Sequence, residues 1–387
     1  MNTQAKYCAL CPSELTEENR TNEHIIPNSI GGWPKVQDFI CKTCNSKKGD
    51  DWDSEIYTQF NWIGAIIGIM RDRDSPSKVL VTTASGVDYH ILPDGTMVPA
   101  EFKFNREVNG DDVKISFVAR NDTEAKKKIR ELHKKYPQID VEEAFKHARV
   151  QTSRLQGPLH IKRGLGGPLA GRSLVCTALA FAFSKGINPH SCENVQQFLH
   201  DPTAPSNCCG FFFLREVVLN RPRDKLFLCV SIHGNQKTGR LTAYVEYYGI
   251  GRWLIVLSNE YQGRNFVDTF AVDPTNQEAI DLRIDWSIST NMIDRALGGH
   301  GLHEEKYRVA EAHTMELIHV LSARRILDKK TAEFREVLWA KHGVGPDENI
   351  PLEKGNAMVE EYIDMLISEV DELLLGGLNA ALKKRDA

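Results

Sequence analysis

Apolar and polar residues follow two different periods along the chain, and the change of period separates strands from helices. Short runs rich in β-branched and aromatic residues predict strands at residues 79–83, 89–92, 97–98 and 113–118. Pro93, Asp94 and Gly95 supply the turn between the second and the third. Farther on, residues 226–232, 241–248 and 253–257 read the same way, and Gly249-Ile250-Gly251 joins the last two as a hairpin. Helical spacing is found at 56–70, with Ile63, Ile66, Ile67 and Met70 on its buried face. It recurs at 123–135, capped by Asp122 and stopped by Pro137, and in the Ala-rich stretch 172–185 ended by Gly186. From residue 303 onward the pattern is almost wholly helical. The last helix is predicted to start at Asn356, and its apolar positions Val359, Ile363, Leu366, Val370 and Leu373 step by 4, 3, 4 and 3. That seam either packs onto its own domain or joins copies of the chain into a homodimer or higher oligomer.

Residues 1–60 have neither pattern at length. They are dense in Cys, His, Asn, Gly and acidic side chains, too poor in apolar surface to fold without a staple. Cys8-Ala-Leu-Cys11 and Cys41-Lys-Thr-Cys44 provide one: two C-x-x-C knuckles offer four thiolates, the set that a tetrahedral zinc takes. Four sulfurs leave no open position, so the zinc is structural. The 29 residues between the knuckles, 12–40, leave room for a looped-out hairpin. No basic-then-apolar leader opens the sequence, which fits reduced, metal-binding cysteines and a cytoplasmic protein. The polar stretch 72–77, with Pro76, reads as a boundary.

The looped-out segment carries Asn22-Glu23-His24-Ile25-Ile26-Pro27-Asn28-Ser29-Ile30-Gly31-Gly32, and Asn45-Ser46-Lys47-Lys48-Gly49 follows the second knuckle. Glu-His-Ile-Ile-Pro, a Gly-Gly, then C-x-x-C-Asn resembles the HNH endonucleases, also called ββα-metal or His-Me finger nucleases, over about residues 1–58. The resemblance implies a hairpin bearing Glu23 and His24, with a helix bearing Asn45 packed across it. It implies hydrolysis of a DNA phosphodiester. His24 has the residue chemistry of the general base, since an imidazole with an ordinary pKa of about 6.5 can accept a proton at neutral pH. By the same resemblance a backbone carbonyl across the hairpin orients its other nitrogen. Glu23 and Asn45 offer oxygen ligands to a hard catalytic ion, Mg²⁺ or Mn²⁺, with Asn in place of a final His favouring Mg²⁺. The family's middle Asn is missing: Val36 stands at its place, so Gln37, Asp38 or another brace must hold the loop. Asp53 and Glu55 read as a solvated helix start rather than as ligands.

Charge places the nucleic-acid contacts outside this segment. The whole chain carries 48 Lys and Arg against 52 Asp and Glu, a net −4. Residues 1–60 hold six basic and nine acidic side chains, whereas 114–172 hold fourteen basic and six acidic, a local +8. Lys126, Lys127, Lys128, Arg130, Lys134 and Lys135 cluster on one predicted helix, and Arg154, Lys162 and Arg163 precede a Gly-rich loop at 164–167. These are the candidate DNA-binding residues. The longest apolar runs, 62–70 and 174–183, fall short of the roughly 18 residues that span a bilayer, so no membrane association is expected.

The fold class expected is α+β. A zinc-stapled ββα-metal module (1–58) leads through a connecting helix and linker (59–77) to a mixed regulatory or DNA-recognition domain (78–302) and a helical region (303–387). The function expected is a metal-dependent endonuclease acting on DNA in bacterial restriction or anti-phage defence. Two alternatives stay open. One is a nuclease gated by a small-molecule activator such as a cyclic nucleotide and switched on by oligomerisation. The other is a non-catalytic zinc module that binds nucleic acid.

Overall fold

The structure, a computed structural model, describes residues 6–72, 78–84, 86–92, 95–101, 103–109, 112–119, 122–137, 140–146, 159–160, 164–345 and 348–383. It opens with an antiparallel pair, β1 (Arg20–His24) and β2 (Lys35–Cys41). The second strand runs straight into α1 (Lys42–Lys47), which widens into a π-helical stretch, Lys48–Asp53, and continues as α2 (Ser54–Ile67). Gly68, at φ 77°, ends α2. The helix therefore stops before Met70, which is exposed rather than part of the buried face, while Ile63 and Ile67 are buried as expected and Ile66 is half-buried.

Next come β3 (Val79–Thr83), β4 (Asp88–Ile91) and β5 (Met97–Pro99), close to the strands that alternation predicts. A hairpin of β6 (Lys103–Asn109) and β7 (Asp112–Val118) follows, then α3 (Asp122–Lys135), α4 (Val141–Lys146) and β8 (Leu159–His160). The last of these completes a four-stranded sheet in the order β5-β4-β3-β8.

The chain then makes α5 (Pro168–Ser184), with proline at its first turn, where a missing N–H is harmless. Every residue from Ala170 to Ala182 is buried, the mark of a core helix with no solvent face. After α6 (Glu193–His200) come β9 (Cys209–Phe211), β10 (Leu228–Asn235), β11 (Arg240–Tyr247), β12 (Gly251–Ser258) and β13 (Phe266–Val272). These five form an antiparallel sheet ordered β13-β10-β11-β12-β9. The predicted hairpin is there: Tyr248 and Gly249, both at positive φ, turn β11 into β12. Three helices close the chain: α7 (Thr290–Arg295), α8 (Glu304–His342) and α9 (Leu352–Lys383).

Compact units cut across the serial order. Described residues up to 72 join those from 164 to 328 in one unit; those from 78 to 160 join those beyond 328 in the other. In the first unit, α5 packs on β10, β11 and β12, and also against β2, the π-helical stretch and α2. Phe39 of β2 lies 5.6 Å from Phe183, and the Phe60 ring meets Tyr247, Tyr248 and Trp253. Ile26, Ile30, Ile40 and Ile56 are completely enclosed. A segment too polar to build its own core has borrowed one.

In the second unit α9 begins at Leu352, four residues before the expected start. Of its seam, Val359 and Ile363 are 56% and 46% exposed, whereas Leu366 is half-buried. The side chains of Val370 and Leu373 lie outside the described residues. Among the described residues no helix is long and apolar enough to cross a membrane.

Candidate functional site

The two knuckles meet. The sulfurs of Cys8, Cys11, Cys41 and Cys44 lie within 4.8 Å of one another, with Cys11 and Cys41 Sγ 3.7 Å apart. Zinc–sulfur bonds of about 2.3 Å give a tetrahedron with edges of about 3.8 Å, so the cluster has the right size for zinc. The N–H groups of Leu10 and Cys41 point at Cys8 Sγ from 3.4 and 3.3 Å, donors that favour a thiolate there. Because Cys41 ends β2 and Cys44 sits inside α1, the cluster fixes how the strand enters the helix.

The hairpin loop is braced from within. Ile25 N–H donates to Pro34 O at 2.8 Å, and Gly32 N–H to Pro27 O at 3.1 Å. A Cβ on Gly32 would stand 2.0 Å from the Ile26 carbonyl oxygen, so only glycine fits, and Gly31 holds φ 89°. Neither candidate substitute for the missing Asn holds this loop. Gln37 is exposed, and Asp38 sits in a bulge at φ 57°, paired with Lys6 at 2.8 Å. Asn28 does the bracing: its Nδ2 donates to Gly32 O at 3.1 Å, and its Oδ1 accepts from Asp72 N–H at 3.1 Å. Outside the hairpin, Tyr248 OH donates to Ile30 O at 2.6 Å.

Successive side chains of a strand face opposite ways, and the end of β1 shows it. Glu23 turns inward, 6% exposed, and accepts from Lys48 Nζ at 2.6 Å. The same ammonium reaches Asp53 Oδ2 at 2.6 Å, and Asp53 Oδ1 accepts from Ser173 Oγ of α5 at 2.5 Å. Asp53 is thus no solvated helix start. The widened π turn brings residue i over i+5, which is how Lys48 meets Asp53. Burial by itself would lower Lys48, but Asp53 and Glu23 outweigh it and hold the ammonium above the ordinary lysine range. Burial raises Glu23 above its usual value, with Lys48 opposing.

His24 faces the other way. Its Nε2 lies 3.1 Å from Asp72 Oδ2, and Lys35 Nζ donates to the same oxygen at 2.5 Å. The orienting group on the imidazole is therefore a carboxylate, not the backbone carbonyl that the family resemblance implies. Burial first and Lys35 second pull His24 below its ordinary pKa, more than Asp72 raises it, which favours the neutral ring. Among the described residues no hydrogen bond joins Asn45 to Glu23 or His24. Asn45 does stand one helical turn before Lys48, on the face that reaches Glu23.

Among the described residues Glu23 Oε2 accepts no hydrogen bond, and neither does the Asn45 amide oxygen. Glu23, Asp53 and Lys48 together carry a net charge of −1. A carboxylate oxygen, an amide oxygen and residual negative charge fit a hard divalent cation. Glu55 is taken up by Gln59 Nε2 at 2.8 Å. Of the basic candidates, Lys126, Lys127, Arg130, Lys134 and Lys135 are exposed on α3, and Lys128 pairs with Glu131 at 2.8 Å. Arg154, Lys162 and Arg163 lie outside the described residues. Sequence reasoning missed Lys35, Lys48 and Asp72. Lys48 carried a signal, its spacing of three from Asn45, whereas Asp72 looked like linker.

No curated protein and no solved structure matches the chain. Residues 8–61, the stretch holding all four cysteines, the hairpin, Asn45 and most of α2, match the family model of the HNH endonucleases.

Proposed function

We propose that the N-terminal module is a metal-dependent nuclease of ββα-metal type that hydrolyses DNA phosphodiester bonds with His24 as general base. The observation that carries the reading is His24 itself: an imidazole paired with Asp72 at the end of a strand fixed by four sulfurs and a braced loop, inside the segment matching the HNH family. His24 takes a proton from a water as that water attacks phosphorus. The new P–O bond forms as the bond to the 3′ oxygen breaks, leaving 5′-phosphate and 3′-hydroxyl ends. By the family resemblance Glu23 and Asn45 would hold Mg²⁺ or Mn²⁺, which supplies Lewis acidity at the phosphate and charge stabilisation at the departing oxygen; because Glu23 and His24 face opposite sides of β1, Glu23 must turn from Lys48 to share one phosphate with His24. Before that turn Lys48 and Asp53 keep Glu23 in place from behind. The lysines of α3 contribute contacts to phosphates, the main source of duplex affinity.

Supercoiled-plasmid cleavage tests this, with Mg²⁺, Mn²⁺ or EDTA, on the full zinc-loaded chain. Wild type should cut and His24→Ala should lose at least about 10²-fold in rate while keeping its fold. Equal cutting by both would remove His24 from the mechanism, and no cutting by the wild type on plasmid, oligonucleotide duplex and single strand alike would overturn the nuclease reading.

A further inference from the structure

Asp72 lies beyond the HNH-matched residues, in what the sequence presents as the start of a linker. Its place is nevertheless fixed from several sides. Its N–H is held by Asn28 of the hairpin loop, its Oδ2 by Lys35 of β2, and Met70, two residues earlier, donates its N–H to Pro274 O at 2.9 Å. Among the described residues the remaining polar neighbour of that carboxylate is His24 Nε2, at 3.1 Å. An ionised carboxylate only accepts hydrogen bonds, so in a neutral ring Nε2 must carry the proton. The lone pair then belongs to Nδ1, for which no bond competes among the described residues.

From this geometry we infer that Asp72 is a positioning residue for His24: it selects the tautomer that leaves Nδ1 as the proton acceptor, and it fixes the plane of the ring. This deepens the nuclease reading and rests on it. The arrangement has the logic of a carboxylate behind a catalytic histidine, where losing the carboxylate's acceptor-only character costs rate because the wrong nitrogen is protonated. Lys35 sharpens the selection. With Asn at position 72, Lys35 would claim the amide oxygen and turn the amide NH₂ toward Nε2, stabilising the Nδ1–H tautomer, which cannot take a proton from water. Asp72 touches neither phosphate nor water in this scheme; it acts through the imidazole.

The test is Asp72→Asn beside Asp72→Glu in the full zinc-loaded chain, read in two ways. Plasmid cleavage under saturating DNA should show kcat falling by on the order of 10²-fold in Asp72→Asn with KM little changed, and partly recovering in Asp72→Glu. Independently of activity, ¹⁵N NMR of histidine-labelled protein at about pH 8, where an ordinary imidazole is neutral, should place the His24 proton on Nε2 in wild type and on Nδ1 in Asp72→Asn. Unchanged tautomer and unchanged kcat in Asp72→Asn, with His24→Ala inactive, would overturn the inference and leave the nuclease reading standing. An active His24→Ala would remove His24 as the general base, the part of the nuclease reading on which this inference rests, whatever the tautomer. If Asp72→Asn unfolds, Lys35→Met serves instead: it keeps the carboxylate and should keep Nε2 protonated, and a switch to Nδ1–H there would equally overturn the inference.

Discussion

Lys48→Met isolates what holds Glu23 in place. Methionine reproduces most of the buried stem, so little cavity is created and the loss is electrostatic. Lys48 is 3% exposed and bridges two carboxylates, each at 2.6 Å, of which Glu23 is 6% and Asp53 17% exposed. Without the ammonium, among the described residues Glu23 has no hydrogen-bond donor and Asp53 retains only Ser173. Removing one partner of a buried pair costs about 3–5 kcal/mol, chiefly because the other charge stays buried and uncompensated. For a unit of roughly 240 residues each kcal/mol moves the midpoint by about 2–4 °C, so the expected fall in Tm is about 6–20 °C. A lysine held above its ordinary value stabilises fully below about pH 10.4, and that contribution is lost only as pH rises through the folded value. The deficit should therefore be fully visible at neutral pH, by calorimetry on the zinc-loaded chain. Adding Glu23→Gln should return part of it, because a neutral amide no longer needs the cation. A Lys48→Met protein melting within about 2 °C of wild type, with no further change from Glu23→Gln, would mean the bridge is not formed.

Other outcomes follow from the same geometry. Cys41→Ser should lower the zinc content from about one ion per chain to near none and melt the hairpin–helix junction first, as elemental analysis and hydrogen exchange over 8–47 would show. Glu246 is fully buried between Arg221 at 2.6 Å and Arg252 at 3.4 Å. Burial would raise it, but the two guanidiniums hold it below the ordinary carboxylate range. A depressed carboxyl stabilises above its ordinary value near 4.3 and loses that contribution as pH falls through the folded one. Glu246→Gln should therefore be about 3–5 kcal/mol less stable at neutral pH, with the gap closing in acid, by denaturant melts across pH. Replacing Lys126, Lys127 and Lys134 by alanine should flatten the salt dependence of DNA binding by about one unit of slope for each phosphate no longer neutralised; an unchanged slope removes α3 from the interface.

How much of this was legible depended on how local the cause is. The four-cysteine cluster could be read because each C-x-x-C turn brings its own two sulfurs together, and Gly31-Gly32 because a tight loop needs them. Strands β3, β7, β10, β11 and β12 followed from alternation and turn residues. Short edge strands such as β9, and β13 with its polar Asp268 and Thr269, do not stand out by alternation. The destination of Glu23 was hidden for another reason. Nothing local says that Lys48, amid exposed neighbours on a polar helix, buries its ammonium, because the burial comes from α5, more than a hundred residues away. Asp72 was hidden likewise: a polar stretch before a proline reads as linker, and only the folded loop sets it against His24.

The same distance effect explains why the module sits inside a larger unit rather than beside it. The four-cysteine cluster fixes one end of the hairpin, where β2 enters α1. The other end, which carries His24, is held by Asn28, by Tyr248 from the β11–β12 turn, and by the Met70–Pro274 bond that steadies the approach to Asp72. Two of those three supports come from residues beyond 240, and a fourth, the Ser173–Asp53 bond, comes from α5. A small domain with almost no core of its own cannot hold an imidazole and its carboxylate to the tolerance that proton transfer requires. Here the rigidity is supplied by the five-stranded sheet and the buried helix across it, so a shift in either reaches the hairpin and its surroundings through the bonds at Ile30, Met70 and Asp53.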